Sequence, residues 1–261
     1  MKLGGRVALV TGAGSGIGRA TALLFGREGA AVGCLDWRAE TAQATADAVA
    51  ASGGRALALT ADVAQPASLS GAVERLVGAF GRLDIVFANA GINGVWAPID
   101  EIEPDEWDRT LAVNLKGSYL TLKTTVPHLR RQGGGAVILT SSVQGTRIFT
   151  VPGSTAYACS KAAQAVLAKK MALELARDRI RVNAVCPGST DTRINESAVK
   201  RDVERIELPV QFPKGKTLLM DGKKAAPEEV AKLVLFLASD DAATITGTEV
   251  WIDGGMSLFM G

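Results

Sequence analysis

The chain has 261 residues, 47% of them apolar and 21% charged, with a formal net charge of +2. Such a composition is that of an ordinary globular protein, and an α/β chain of this length commonly builds one core, so a single domain spanning 1–261 is expected. Near-neutral charge without a polybasic stripe speaks against a nucleic-acid partner, and no stretch is apolar for long enough to span a bilayer.

From the amino end, β-branched runs alternate with Ala-rich helical stretches. Strands are predicted near 6–11, 31–36, 55–60 and 83–88, with helices at 16–29, 40–52 and 66–79 between them, the rhythm of successive βαβ units. Val7-Ala8-Leu9-Val10 is broken by Gly12 too soon to be a secretory leader. The same run, and Ile85-Val86-Phe87, are apolar at consecutive positions, which implies burial on both faces and a parallel sheet covered by helices. A long helix near 104–131 follows, then a strand at 136–140, a helix at 155–177, a strand at 180–186, a helix at 227–238 and a last strand at 248–252. Right-handed crossovers turn this series into an α/β Rossmann fold, a doubly wound parallel sheet of about seven strands flanked by helices. The stretch 189–226 breaks the rhythm: it is long, charged and interrupted by Pro209 and Pro213, and it reads either as a substrate lid or as a surface insertion.

Cys34, Cys159 and Cys186 are odd in number, widely spaced and set in apolar segments, so reduced core residues in a cytoplasmic protein are expected. The lone His128 has no Cys, Glu or second His at ligand spacing. A surface or helix-capping role is expected for it, and no metal is.

Thr11-Gly12-Ala13-Gly14-Ser15-Gly16-Ile17-Gly18 follows the first strand and opens the first helix. Glycines there permit a tight turn and a close backbone approach, while free helix N–H groups favour a phosphate. Gly12, Ser15, Gly16, Ile17 and Gly18 are therefore candidate cofactor residues. Asp36 stands twenty residues beyond Gly16, at the end of the second strand. A carboxylate there accepts hydrogen bonds from both ribose hydroxyls of adenosine and repels a 2′-phosphate, which points to NAD, with NADP disfavoured. Arg38 is close enough to offer the opposite preference, but Ser15, not a basic residue, occupies the middle of the turn.

Tyr157-Ala158-Cys159-Ser160-Lys161 places a phenol and an ammonium on one helical face, and a nearby cation is expected to lower the tyrosine pKa toward the working range. Together with Thr11-Gly12, Gly16, Gly18, Asn89-Ala90-Gly91, Asn114, Ser141-Ser142 and Pro187-Gly188, this pair occurs in the order and approximate spacing of the short-chain dehydrogenase/reductase family. The chain resembles that family over essentially its whole length, to Asp253-Gly254-Gly255 near the carboxyl end.

The resemblance implies that Tyr157 is the general acid/base and that Lys161 is its electrostatic helper and a ligand of the nicotinamide ribose. It gives Ser142 the substrate oxygen, Ser142 being preferred to Ser141 because Ser142-Val143-Gln144-Gly145 matches the family string. Asn114 would bend its helix and hold a water that links Lys161 to solvent. Asp62 and Val63 match the pair that contacts adenine, and Asn89, Ala90 and Gly91 match the turn beside the cofactor. Pro187, Gly188, Thr190 and Thr192 resemble the segment that grips the carboxamide. Two departures stand out: Ala88 replaces a frequent asparagine, and the stretch from Ser142 to Tyr157 is longer than is usual, with Ile148, Phe149 and Pro152 available to line a pocket.

The function expected is interconversion of a secondary alcohol and a ketone, on a sugar, polyol or small hydroxy compound. A β-ketoacyl carrier-protein reductase is the alternative, with Arg130 and Arg131 as either a dock for an acidic carrier or a solvated helix end. A dinucleotide-binding sensor or scaffold is the non-enzymatic alternative, although it would have no need of Tyr157 and Lys161. Trp96, Gln144 and Phe149 are expected to border the substrate. Ala162, Ala163, Ala165 and Ala168 on the helix 155–177, with the apolar tail Leu258-Phe259-Met260, suggest a homotetramer.

Overall fold

The structure is a computed structural model in which residues 1–208, 219 and 221–260 are described, the last two without their side chains. Pro209 and Pro213 of the expected lid, and the side chains of Phe259 and Met260, therefore lie outside the described residues. The strands are β1 (Val7–Thr11), β2 (Ala31–Asp36), β3 (Arg55–Thr60), β4 (Ile85–Ala88), β5 (Gly94–Trp96), β6 (Gly135–Thr140), β7 (Ile180–Pro187), β8 (Ala198–Lys200) and β9 (Glu249–Ile252). The helices are α1 (Gly16–Arg27), α2 (Ala39–Ala51), α3 (Pro66–Phe80), α4 (Pro104–Leu111), α5 (Gly117–Gln132), α6 (Thr155–Leu175), α7 (Pro227–Ala238) and the single turn α8 (Ser257–Met260).

Seven strands pair in the order β3-β2-β1-β4-β6-β7-β9, every pair parallel. Leu9 lies beside Gly33 on one flank and Val86 on the other, so all carboxyl ends reach the same edge. Every residue of β1, β2 and β4 is buried, as expected of strands covered on both faces, whereas the edge strands β3 and β9 are partly exposed. Alternation along β1 divides two core layers. Val7 and Leu9 pack with Leu76, Val86, Leu129 and Val137 on one side; Ala8 and Val10 pack with Phe25, Phe87, Ile138 and Val234 on the other.

Local sequence sets the helix ends. Pro66 occupies the first turn of α3, and Gly81 ends it in the left-handed region. Glu103 and Glu106 cap α4 reciprocally.

The single helix expected at 104–131 is corrected: α4 and α5 are separated by a π-helical turn at Ala112–Lys116. Strands β5 and β8, which were not predicted, form a separate parallel pair in which Gly94 meets Ala198 and Trp96 meets Lys200. That pair fastens the described start of the 189–226 stretch to the body. Asn93 N–H donates to Ser197 Oγ at 2.9 Å, Arg201 forks onto Glu106 at 3.0 and 2.8 Å, and Arg205 pairs with Glu101.

The cysteine and histidine expectations also change. Cys34 and Cys186 are buried, which pushes their thiols up to about 12 and about 11, but Cys159 is exposed because α6 buries Tyr157, Ser160 and Lys161 and turns position 159 outward. His128 is buried, not at the surface: its Nδ1 faces Arg131 at 2.5 Å and its Nε2 faces Glu74 at 3.3 Å. On α6, Ala165 and Ala168 serve the chain's own core, and the outward apolar surface comes from Val166 and Leu173. No described helix is long and apolar enough to cross a membrane.

Candidate active site

Strands β1 and β4 are neighbours, yet the chain leaves them toward opposite edges of the sheet, and this reversal opens a crevice at their carboxyl ends. The glycine turn, Asp36, Asn89, Ser142 and Gly188 reach it from the carboxyl ends of β1, β2, β4, β6 and β7, and Tyr157 and Lys161 from α6.

On the β1 side, Gly12 has a φ of +65°, a conformation that a side chain would strain. A Cβ on Gly14 would fall 2.7 Å from Asp36 Oδ2 and from Thr41 Cβ, so the turn can pass this close to β2 only as glycine. Ser15 is the extended N-cap of α1 and makes no side-chain cap bond, which leaves first-turn N–H groups for an anion. Ile17 packs against the core layer beneath. Asp36 is buried and accepts from Gly14 N–H at 3.0 Å, Arg38 N–H at 3.1 Å and the Thr41 hydroxyl at 3.0 Å. Carboxylates have roughly four acceptor positions, and Thr41 can turn its proton to Arg38 O, 3.1 Å away, so two positions can be freed for a diol. A glycine cradle that a Cβ would fill, with a buried carboxylate beyond it, fits a dinucleotide.

Asp62 is exposed and accepts from Ala64 N–H at 2.8 Å, while Val63 is buried beside it. Asn89 is held by Thr11: its N–H donates to Thr11 Oγ1 at 2.9 Å and its amide to Thr11 O at 3.1 Å, and Ala90 N–H meets the same hydroxyl at 3.0 Å. Gly91 leads into Ile92, the anchor of Asn114. Pro187 ends β7, Gly188 N–H donates to Ile252 O at 3.0 Å, and Thr190 donates to Gly188 O at 3.2 Å. Thr192 caps the following turn and lines, with Gly16 and Arg19, a cavity of about 310 Å³.

Across the crevice, Ser141 Oγ donates to Lys161 O at 2.7 Å and is spent on structure. Ser142 Oγ accepts from Gln144 N–H at 3.1 Å and lies beside the Tyr157 phenol. Lys161 Nζ donates to Thr140 O at 2.8 Å and lies 5.5 Å from the centre of the Tyr157 ring. Asn114 sits in the π turn and is fully buried; its amide donates to Ile92 O and to Ser160 Oγ, both at 2.9 Å, and its Oδ1 accepts from Ile92 N–H at 2.8 Å. Ser160 in turn donates to Tyr157 O at 2.7 Å.

The pKa expectation for the pair is corrected. Burial pushes the Tyr157 phenol up, with the Ser142 hydrogen bond opposing it, and pulls Lys161 down to about 7. Desolvation outweighs the mutual influence of the two groups. A lysine that exchanges its proton near neutrality suits a proton-handling site.

The substrate side is less convergent. Trp96 lies on β5 with its indole N–H on Asn93 O at 3.3 Å and Lys200 Nζ 5.2 Å from its ring centre. Gln144 Oε1 is buried with no hydrogen-bond partner among the described residues. Ile148 packs with Val143 and Met256 and so belongs to a small core, and Phe149 is 71% exposed. Two residues escaped the sequence reading. Ser160 links Asn114 to the Tyr157 backbone, and the fully buried Gln164 donates to Asn114 O at 2.9 Å and to Ser118 Oγ at 2.7 Å. A polar residue one turn beyond Lys161 in an Ala-rich helix was the available signal.

Residues 12–257 match the family model described as enoyl-(acyl carrier protein) reductase. Cyclohexanol dehydrogenase of Acinetobacter sp. strain SE19 is 37% identical over 97% of this chain and 95% of its own length. The crystal structure of a 3-ketoacyl-ACP reductase from Sinorhizobium meliloti 1021 superposes with a TM-score of 0.93 at 52% identity, covering 97% of this chain and 99% of that one. The 3-ketoacyl-(acyl-carrier-protein) reductase of Brucella melitensis, complexed with NADH, superposes with a TM-score of 0.86 at 32% identity over 98% and 99% of the two chains.

Proposed function

For this chain, which belongs to the short-chain dehydrogenase/reductase family of oxidoreductases, we propose NAD-dependent interconversion of a secondary alcohol and a ketone, the substrate being a sugar, polyol or small hydroxy compound. The observation that carries the reading is one constellation: a buried phenol beside the Ser142 hydroxyl, with Lys161 and Asn114 behind it and the Asp36 carboxylate across the same crevice.

In oxidation, the Ser142 hydroxyl holds the alcohol oxygen and the ionised Tyr157 oxygen takes its proton. In reduction, the Tyr157 phenol returns that proton to the carbonyl oxygen. A nicotinamide dinucleotide supplies the other half of the chemistry, taking up or giving the hydride. Gly12 to Gly18 and Asp36 would hold its pyrophosphate and adenosine ribose, Asp62 and Val63 its adenine, and Asn89, Ala90, Gly91, Pro187, Gly188, Thr190 and Thr192 its nicotinamide half. Lys161 would bind the second ribose and exchange the Tyr157 proton onward. Trp96 and Gln144 would touch substrate, with the 189–226 stretch as its lid. The chain's contribution is orientation and a fixed electrostatic environment.

A carrier-protein ketoreductase is the second reading, favoured by the name of the relative that is 52% identical. Against it, Arg130 is paired with Asp178 at 2.7 Å and Arg131 with His128, so both arginines that would dock an acidic carrier are engaged within the chain. A sensor without catalysis leaves the buried Tyr157, Lys161 and Asn114 without purpose. A cytoplasmic homotetramer is proposed from apolar surface left open: Val166, Leu173 and Leu258 are exposed, and Leu111, Ala112, Leu115 and Tyr119 line an open cavity of about 480 Å³.

Tyr157→Phe removes the proton donor and keeps the ring, so NAD affinity should persist while turnover falls roughly a hundred- to ten-thousand-fold; retention of more than about a tenth of wild-type turnover would assign the acid/base role elsewhere. Wild-type kcat/KM should be higher with NAD⁺ than with NADP⁺, and Asp36→Ala should erode that preference; an equal or reversed ratio for the wild type would refute the reading of Asp36. Light scattering at micromolar concentration should give four copies per particle, and a monomer would rule the tetramer out.

A further inference from the structure

The turn that carries Ser142 is built from residues 143–148, whose conformation is tied by three N–H groups converging on one carbonyl: Thr146, Arg147 and Ile148 all donate to Val143 O, at 3.3, 2.9 and 2.9 Å. The peptide plane that joins Ser142 to Val143 is pinned at both ends. Its N–H, on Val143, donates to Pro187 O at 3.1 Å, and its carbonyl, on Ser142, accepts the Thr146 hydroxyl at 2.7 Å. Tilting this plane, and with it the backbone that carries the Ser142 Cβ, would break these two contacts.

The Thr146 hydroxyl has a second carbonyl within reach, Val143 O at 3.5 Å. The nearer carbonyl, Ser142 O, takes its proton, and the indole N–H of Trp251 donates to Thr146 Oγ1 at 3.1 Å, which holds the hydroxyl oxygen from the other side. Trp251 itself is fixed from its face: the Arg147 guanidinium stacks 3.7 Å from the ring centre, and the ring packs against the small core of Val143, Ile148 and Met256. Trp251 belongs to β9, beside Cys186 of β7, and so reaches past a whole strand to the end of β6.

We propose that Trp251 is a positioning residue for the reacting serine: through the Thr146 hydroxyl it holds the Ser142 peptide plane, and with it the hydroxyl that faces Tyr157. The inference rests on the reading of Ser142 as the group that holds the substrate oxygen. It assigns a role in turnover to the last strand of the sheet, which carries none of the reacting groups.

The test compares Trp251→Phe, which keeps an aromatic ring under Arg147 and removes the indole N–H with part of the ring's bulk, with Thr146→Val, Thr146→Ser, Ser142→Ala and the double variant Trp251→Phe/Thr146→Val. All are assayed for alcohol oxidation across pH with the best substrate of a secondary-alcohol panel. Trp251→Phe and Thr146→Val should each lower kcat by roughly three- to tenfold, the worth of one ordinary hydrogen bond, with KM for NAD⁺ unchanged. Because the Ser142 hydrogen bond holds the Tyr157 pKa down against burial, loosening Ser142 lets that pKa rise, and the acid limb of the profile should move to higher pH in both variants. Thr146→Ser should behave as wild type, and the double variant should be no slower than Thr146→Val alone. Trp251→Phe within about twofold of wild type and with an unmoved limb, beside an inactive Ser142→Ala, overturns this inference and leaves the catalytic reading standing. Losses that multiply in the double variant overturn it too. A fully active Ser142→Ala overturns the reading of Ser142 and this inference with it.

Discussion

A parallel sheet whose strand order reverses leaves three adjacent strand ends with no common turn to hold them, and here one side chain does so. Asn89 accepts the Thr140 hydroxyl on its Oδ1 at 3.1 Å and donates its amide to Thr11 O, while its backbone N–H meets the Thr11 hydroxyl. The ends of β1, β4 and β6 are thereby tied in the crevice itself. The glycine turn grows from β1 and the Ser141-Ser142 pair from β6, so this amide, with the pairing of the three strands, fixes the spacing between the glycine turn and the Ser142 hydroxyl. Loss of one partly buried bond of this kind costs about 1 kcal/mol, and a partner left unsatisfied costs further.

The same economy of partners runs behind Tyr157. The π turn at Ala112–Lys116 rotates Asn114 inward, where it reads Ile92 with both ends of its amide and passes a hydrogen bond to Ser160. Gln164 and Ser118 satisfy the carbonyl of Asn114. A π turn at a functional site is a common device for aiming one side chain, and the polar groups around this one are nearly all paired. Desolvation in this dry, fixed setting moves the Tyr157 phenol up and Lys161 down, toward the neutral forms of both.

The main sheet and its helices were legible because β1, β2 and β4 are apolar up to the polar ends Thr11 and Asp36 and the intervening helices are Ala-rich, so period and composition agreed. The meeting of Asn114, Ser142, Tyr157 and Lys161 in one place followed from their resemblance to a family pattern, since no local rule joins residues that far apart. What escaped was whatever depends on partners remote in sequence. The π turn inserts without disturbing the periodicity of the flanking helices, and its spare carbonyl is satisfied by Gln164, 50 residues away. Strands β5 and β8 are three residues each, too short to alternate visibly, and they form only through pairing with each other across about a hundred residues of chain. Cys159 shares an apolar stretch with buried neighbours but falls on the outer face of α6, and His128 is buried by Glu74 and Arg131, which composition does not reveal.

The central claim is that this crevice moves a hydride between a secondary alcohol carbon and a nicotinamide ring while Tyr157 handles the proton. The most direct measurement supplies NAD⁺ with secondary alcohols deuterated on the carbinol carbon and analyses the dinucleotide by mass spectrometry and NMR. The account predicts that the deuterium of a substrate appears at carbon 4 of the reduced nicotinamide, with none washed in from or out to water. Reduced dinucleotide formed without that label, or none formed from any alcohol of the panel by a folded protein that binds NAD⁺, would contradict it.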